Sequence, residues 1–114
     1  MDSSNQAPKN RRASMRRPAK SGARATCTKG SMGLGANLAL KVVDLSEEGV
    51  RLLVKALLEK GQEVEVTLTG PGLSRPLKVL AQVMWSTPAA EGNYWVGARF
   101  QKRLTYGELA DIWR

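Results

Sequence analysis

Between Glu63 and Thr69 the side chains alternate strictly: Val64, Val66 and Leu68 are apolar, and Glu63, Glu65, Thr67 and Thr69 are polar. Successive side chains of an extended strand point to opposite faces, so this run predicts a strand with one face buried and the other wet. Such a strand needs others beside it. Short apolar runs at Arg24 to Lys29, Asn37 to Leu45, Leu77 to Trp85 and Tyr94 to Gln101 fit that need. They are punctuated by Gly33 and Gly35, by Gly61, by Gly70, Pro71 and Gly72, and by Pro88 and Gly92, residues that favour turns. Five strands with short connections point to a small antiparallel barrel or sandwich. A chain of 114 residues with 42% hydrophobic content suffices for one modest core.

At the C-terminus the period changes. Thr105 and Glu108 form a T-x-x-E capping box, and Tyr106, Leu109, Ala110 and Trp113 follow at helical spacing. This predicts a short helix closing against the end of the sheet, with Trp113 in the core. Ser46 to Gly61 is ambiguous. Ser46 suits an N-cap, and Val50, Leu53, Val54, Leu57 and Leu58 make a helical stripe. Gly49 weakens a helix interior, however, and Val50 with Val54 also suits a strand.

The chain has no histidine and one cysteine, Cys27. That excludes an intramolecular disulfide, leaves a protein-only metal site short of ligands, and removes every histidine-based nucleophile arrangement. No pair of carboxylates has catalytic spacing. The expectation is a binding protein, not an enzyme, with no catalytic residue, metal or cofactor. The first twenty residues are polar and basic, and no apolar run could cross a bilayer, so a cytoplasmic location is expected.

The charge is concentrated. Residues 1–30 carry eight basic side chains against Asp2 alone, a net +7 of the chain's +8. Residues 1–20 hold too little apolar content to offset the entropy of ordering and read as a mobile basic arm, with the globular domain spanning residues 21–114. An anionic partner would meet the arm first.

Arm and body together carry two further patterns: Arg11, Arg12 and Arg16 in the run RRASMR, and Asp44, Ser46 and Gly49 in DLSEEG. These resemble the RxxxR and (D/N)xSxxG signatures of the PilZ family. The resemblance extends to Gln82-Val83-Met84-Trp85, similar to the family's strand ending in Trp, and to Val96-Gly97-Ala98-Arg99-Phe100, similar to its penultimate strand. It implies a mainly all-β fold, a six-stranded antiparallel barrel with a short C-terminal helix. On that reading Val50 to Lys55 is a strand and Ala56 to Lys60 a turn. It also implies a receptor for the bacterial second messenger cyclic di-GMP, held by Arg11, Arg12, Arg16, Asp44, Ser46 and Gly49. Ordering of the arm would then relay binding to a downstream protein partner.

The side chains suit that ligand. Guanidinium groups fork onto phosphate oxygens and stack on base planes, and a guanine's N1 and N2 hydrogens need an acceptor such as the Asp44 carboxylate. Strand alternation points Asp44 and Ser46 outward and Val43 and Leu45 toward the core. Gly49 would supply either a backbone angle closed to other residues or a close approach to ligand. Arg51 could add a contact. Trp85 reads either as a neighbour of the nucleotide or as packing. Two alternatives stand: a small nucleic-acid-binding barrel, which would spread aromatic residues over an exposed sheet face, and a PilZ-like adaptor that binds no nucleotide.

Overall fold

The computed structural model describes residues 16–30, 35–71, 73 and 75–113. In chain order its elements are β1 (Arg17–Pro18), β2 (Arg24–Lys29), β3 (Ala39–Leu45), β4 (Gly49–Val54), β5 (Glu63–Thr69), β6 (Leu77–Pro88), a 3₁₀ turn (Ala90–Gly92), β7 (Tyr94–Phe100) and helix α1 (Tyr106–Ala110). The strands form one antiparallel sheet in the order β1-β3-β4-β7-β6-β5-β2.

The sheet curls but does not close. The expected six-stranded barrel is instead a seven-stranded open half-barrel whose edges stand 12 Å apart. Adjacent strands in a sheet lie about 4.8 Å apart, so no ladder can bridge that gap. Two local features account for it. The short β1 occupies the free edge of β3, pairing Arg17 with Leu45 and Pro18 with Asp44. Along the rest of that edge, β2 is hydrogen-bonded to the chain entering β3 around Asn37 and Leu38. The Cys27 amide donates to the Asn37 side-chain oxygen (2.8 Å) and the Leu38 amide donates to the Cys27 carbonyl (2.8 Å). Beyond them a groove of about 480 Å³ separates Gly22 to Thr26 from Ala39 to Val42.

The core lies on the concave face. In β5, Val64, Val66 and Leu68 are fully buried, as the alternation predicts. The segment that local rules left between helix and strand is β4, with Val50, Leu52 and Val54 buried and Leu57 out in solvent. Two-residue periodicity prevails there because β4 lies between β3 and β7 and both its edges are hydrogen-bonded.

Strand β3 departs from simple alternation. Register shifts fall between Ala39 and Lys41 and between Val42 and Asp44, and Ala39, Val42 and Leu45 are the residues buried in the core. The expectation that Val43 faces the core is thereby corrected: the irregularity gives that place to Val42 and turns Val43 to the outer face.

Helix α1 begins with the predicted capping box. The Thr105 hydroxyl accepts from the Glu108 amide (3.1 Å), and the Glu108 carboxylate accepts from the Thr105 amide (2.9 Å). Leu109, Ile112 and Trp113 plug the end of the half-barrel, whereas Tyr106 and Ala110, expected on the buried stripe, are exposed. The helix ends at Ala110, one and a half turns long, so its stripe never extends to Trp113 in helical register. Trp113 is fixed otherwise: its indole N–H donates to the buried Leu45 carbonyl (2.8 Å), and its backbone bridges to Ala19.

Candidate functional site

The end of β3 turns into β4 through Ser46 to Gly49. The Ser46 amide donates to the Gly49 carbonyl (2.8 Å), and the Ser46 hydroxyl accepts from the Glu48 amide (3.2 Å). Ser46 is therefore buried by its own turn. The turn is tied to the end of the neighbouring β7 and the chain that follows it, because the Phe100 amide donates to the Glu48 carbonyl (2.7 Å) and the Leu104 amide to that of Glu47 (2.9 Å). Arg103 donates to both acidic side chains, at 3.0 Å to Glu48 and 2.5 Å to Glu47.

Gly49 holds an ordinary strand conformation, and its need for a bare Cα lies elsewhere. A Cβ there would stand 2.5 Å from the Ala98 carbonyl oxygen of β7. The glycine permits two backbones to approach, and it does not adopt the special backbone angle that was one of the two roles anticipated for it.

Asp44, only 7% exposed, carries a guanidinium on each carboxylate oxygen. Arg16 donates to Oδ1 at 3.0 Å across 28 residues of chain, and Arg51 donates to Oδ2. Both arginines are roughly half in solvent, so their remaining N–H groups can reach an outside acceptor. The Arg51 Nε atom is buried without a hydrogen-bond partner among the described residues.

Across the outer face, β6 carries an irregularity between Val83 and Trp85 that turns both Met84 and Trp85 outward. Trp85 then pairs with Gly97 of β7, and the indole lies against that glycine so closely that a Cβ there would stand 2.2 Å from the indole nitrogen. Trp85 is nonetheless 40% exposed. A cleft of about 270 Å³ is lined by Arg16, Ser46, Gly49, Trp85, Gly97 and Arg99, among others. Such a cleft offers guanidinium donors, a flat aromatic surface and a carboxylate beside it, the complement of an anion that carries planar bases.

Of the residues singled out from sequence, Arg16, Asp44, Ser46, Gly49 and Trp85 converge on this surface. Arg11 and Arg12 lie outside the described residues. Sequence reasoning missed Gly97 and Arg99, whose signal was the alternation in Val96-Gly97-Ala98-Arg99-Phe100. Val96, Ala98 and Phe100 face the core, so Gly97 and Arg99 must face outward. Trp113 was read as core alone, yet it also holds Arg17, whose guanidinium sits 5.0 Å from the ring centroid.

The family model described as the PilZ domain matches residues 10–114. The chain belongs to the PilZ family. PilZ domains are non-catalytic receptor and adaptor modules, and the family is that of cyclic di-GMP receptors. No curated protein matches the chain. In this PilZ domain no helix among the described residues is long and apolar enough to cross a membrane, and no cluster among them could hold a metal ion.

Proposed function

We propose that this PilZ domain binds cyclic di-GMP in the cleft beside Trp85 and passes that event to a protein partner in the cytoplasm. The observation that supports the reading is the Arg16 to Asp44 ion pair, which joins the last arginine of the RxxxR run to the end of β3 at the rim of the cleft.

Each side chain has a chemical role in this reading. Arg16, with Arg11 and Arg12 from the same segment, takes phosphate oxygens and base edges. Asp44 accepts from a guanine's N1 and N2 hydrogens, a carboxylate having lone pairs beyond those its two arginines use. Ser46 and Gly49 shape the strand end, and Trp85 offers a stacking face. The cleft is small for a ligand with two nucleotides, so part of the ligand lies beyond its rim. There Arg11 and Arg12, in the part of the basic arm that precedes β1, fold over it.

Relay follows from ordering that arm. Fixing backbone costs about 1–2 kcal/mol per residue, against roughly 1.5–3 kcal/mol for each charged hydrogen bond and about 1–3 kcal/mol for each stacked base. Three arginines and two guanines outweigh the ordering of a few residues. The ordered arm then presents a different surface to the partner. Calorimetric titration of cyclic di-GMP into the full chain, with Arg16→Ala as the control, tests the reading. Micromolar binding that the substitution abolishes is expected, and an affinity unaffected by it would refute the assignment.

A further inference from the structure

The opening between β2 and β3 sets two strand edges facing each other. Cys27 of β2 uses its amide and its carbonyl on Asn37 and Leu38, on the side away from β5. The backbone groups of a strand alternate between its two neighbours, so Ala25, two residues earlier, turns its own N–H and C=O the same way, where no described residue takes them up. Across the groove, β1 pairs with β3 at Asp44 and Leu45, and the Ala19 amide reaches the Val43 carbonyl (3.3 Å). From Ala39 to Val42 that edge of β3 has no strand beside it among the described residues.

Unpaired edges are templates for a further strand. A strand seated between two others needs two interstrand spacings, about 9.6 Å, and these edges stand 12 Å apart. The opening therefore admits one extended chain after a small closure. A helix satisfies its backbone donors internally and could pair with neither edge. The side chains specify the chain that fits. Ala39 and Val42 are buried and Ala25 is half-buried, whereas the charged residues of the groove are Arg24 and Lys41, both exposed. Neither cation has an ion-pair partner among the described residues. An inserted strand would thus alternate apolar residues toward the core with acidic residues toward solvent. A second copy presenting either edge would bring like charges together, the usual way in which an edge lysine discourages self-pairing.

We propose that the groove between β2 and β3 is a docking slot for an extended acidic segment of a partner protein, which enters as an added strand between the two edges. The proposal stands independently of cyclic di-GMP binding, because none of the groove's residues lines the cleft beside Trp85.

Fluorescence anisotropy on the full chain tests it, with a labelled peptide of alternating Glu and Val, six residues long to match β2. One control is the same peptide N-methylated at alternate residues, which keeps the charge and removes the backbone donors toward one edge. The other replaces each Glu by Lys. Both controls are expected to bind about tenfold or more weakly, the scale of one or two lost hydrogen bonds. Hydrogen exchange at Ala25 and across Ala39 to Val42 should slow when the acidic peptide is added. Arg24→Glu combined with Lys41→Glu should reverse the preference toward the Lys-Val peptide, with a thermal melt showing that the fold is intact. Equal binding of the N-methylated peptide would overturn the proposal, leaving only charge attraction to a basic chain. No binding of the acidic peptide, or an unchanged preference in the double variant, would overturn it as well. Slow exchange at Ala25 in the free chain would also overturn it, assigning the groove to a second copy if sedimentation shows a dimer and to the chain's own residues if it shows a monomer.

Discussion

Asp44 holds Arg16 on one carboxylate oxygen and Arg51 on the other. One side chain thus joins two cations that come from either side of β3, one beside β1 and one in β4, and it does so before any ligand arrives. Asp44→Ala removes the guanine acceptor and releases both arginines. Cyclic di-GMP affinity is expected to fall about tenfold or more, the scale of one hydrogen bond to a charged group. Folding stability should change by only about 1 kcal/mol, because both arginines are half solvated and regain water when freed. Calorimetry paired with a thermal melt separates the two effects, and a large loss of stability would mark Asp44 as chiefly structural.

Gly97 gives Trp85 its place. A methyl group at Gly97 would occupy the indole's own volume, so Gly97→Ala must push the ring off the sheet. Stacking of a base on that ring should then be lost, at about 1–3 kcal/mol of ligand affinity. A double-mutant cycle makes the argument specific: once Trp85→Ala has removed the ring, Gly97→Ala should cost almost nothing more. If the two losses add, the glycine acts through some other neighbour.

Much of this arrangement was legible in the residues. Strands β2 and β5 follow the predicted runs, since their apolar alternation meets a single buried face. In β4, the decisive Val50, Leu52 and Val54 alternation was masked by Leu53, which supplies a helical spacing by coincidence and lies half-buried on the other face. What local pattern could not carry was set between distant strands. The irregularities at Val42/Asp44 and Val83/Trp85 exist only relative to a partner strand, and they decide that Val43, Met84 and Trp85 turn outward. The open edge of the sheet depends on β1, two residues whose strand character comes entirely from docking on β3. Within the candidate site the paired motifs named Arg16 and Asp44, but the pairing of Arg51 with that same carboxylate needed coordinates.

The Trp113 indole N–H satisfies the buried carbonyl of Leu45, the residue next to Asp44, while Arg17 lies over the ring. Trp113→Phe keeps an aromatic plug and removes this donor to a buried carbonyl. A stability loss of about 1–3 kcal/mol is expected, read from the shift in a urea unfolding midpoint at unchanged slope. Since the same strand end carries Asp44, ligand affinity should fall as well. A stable variant with unaltered affinity would show that the hydrogen bond contributes nothing to either.

Cys27 is fully buried in β2, and burial pushes its thiol from 9.0 up to about 11. The folded chain therefore keeps its thiol proton in a range where the unfolded chain has lost it. Its contribution to stability is complete below pH 9 and is lost as the pH rises from 9 through about 11. The slope from this group cannot exceed about 1.4 kcal/mol per pH unit. Cys27→Ala should flatten the alkaline limb of a plot of unfolding midpoint against pH by up to that amount. It should also lower stability uniformly at neutral pH through the small cavity it leaves. In the unaltered protein, a thiol reagent at neutral pH should modify Cys27 only as fast as β2 opens, so denaturant below the unfolding midpoint should accelerate the reaction. Rapid labelling of the native chain would place the thiol at the surface and remove the basis for the alkaline slope.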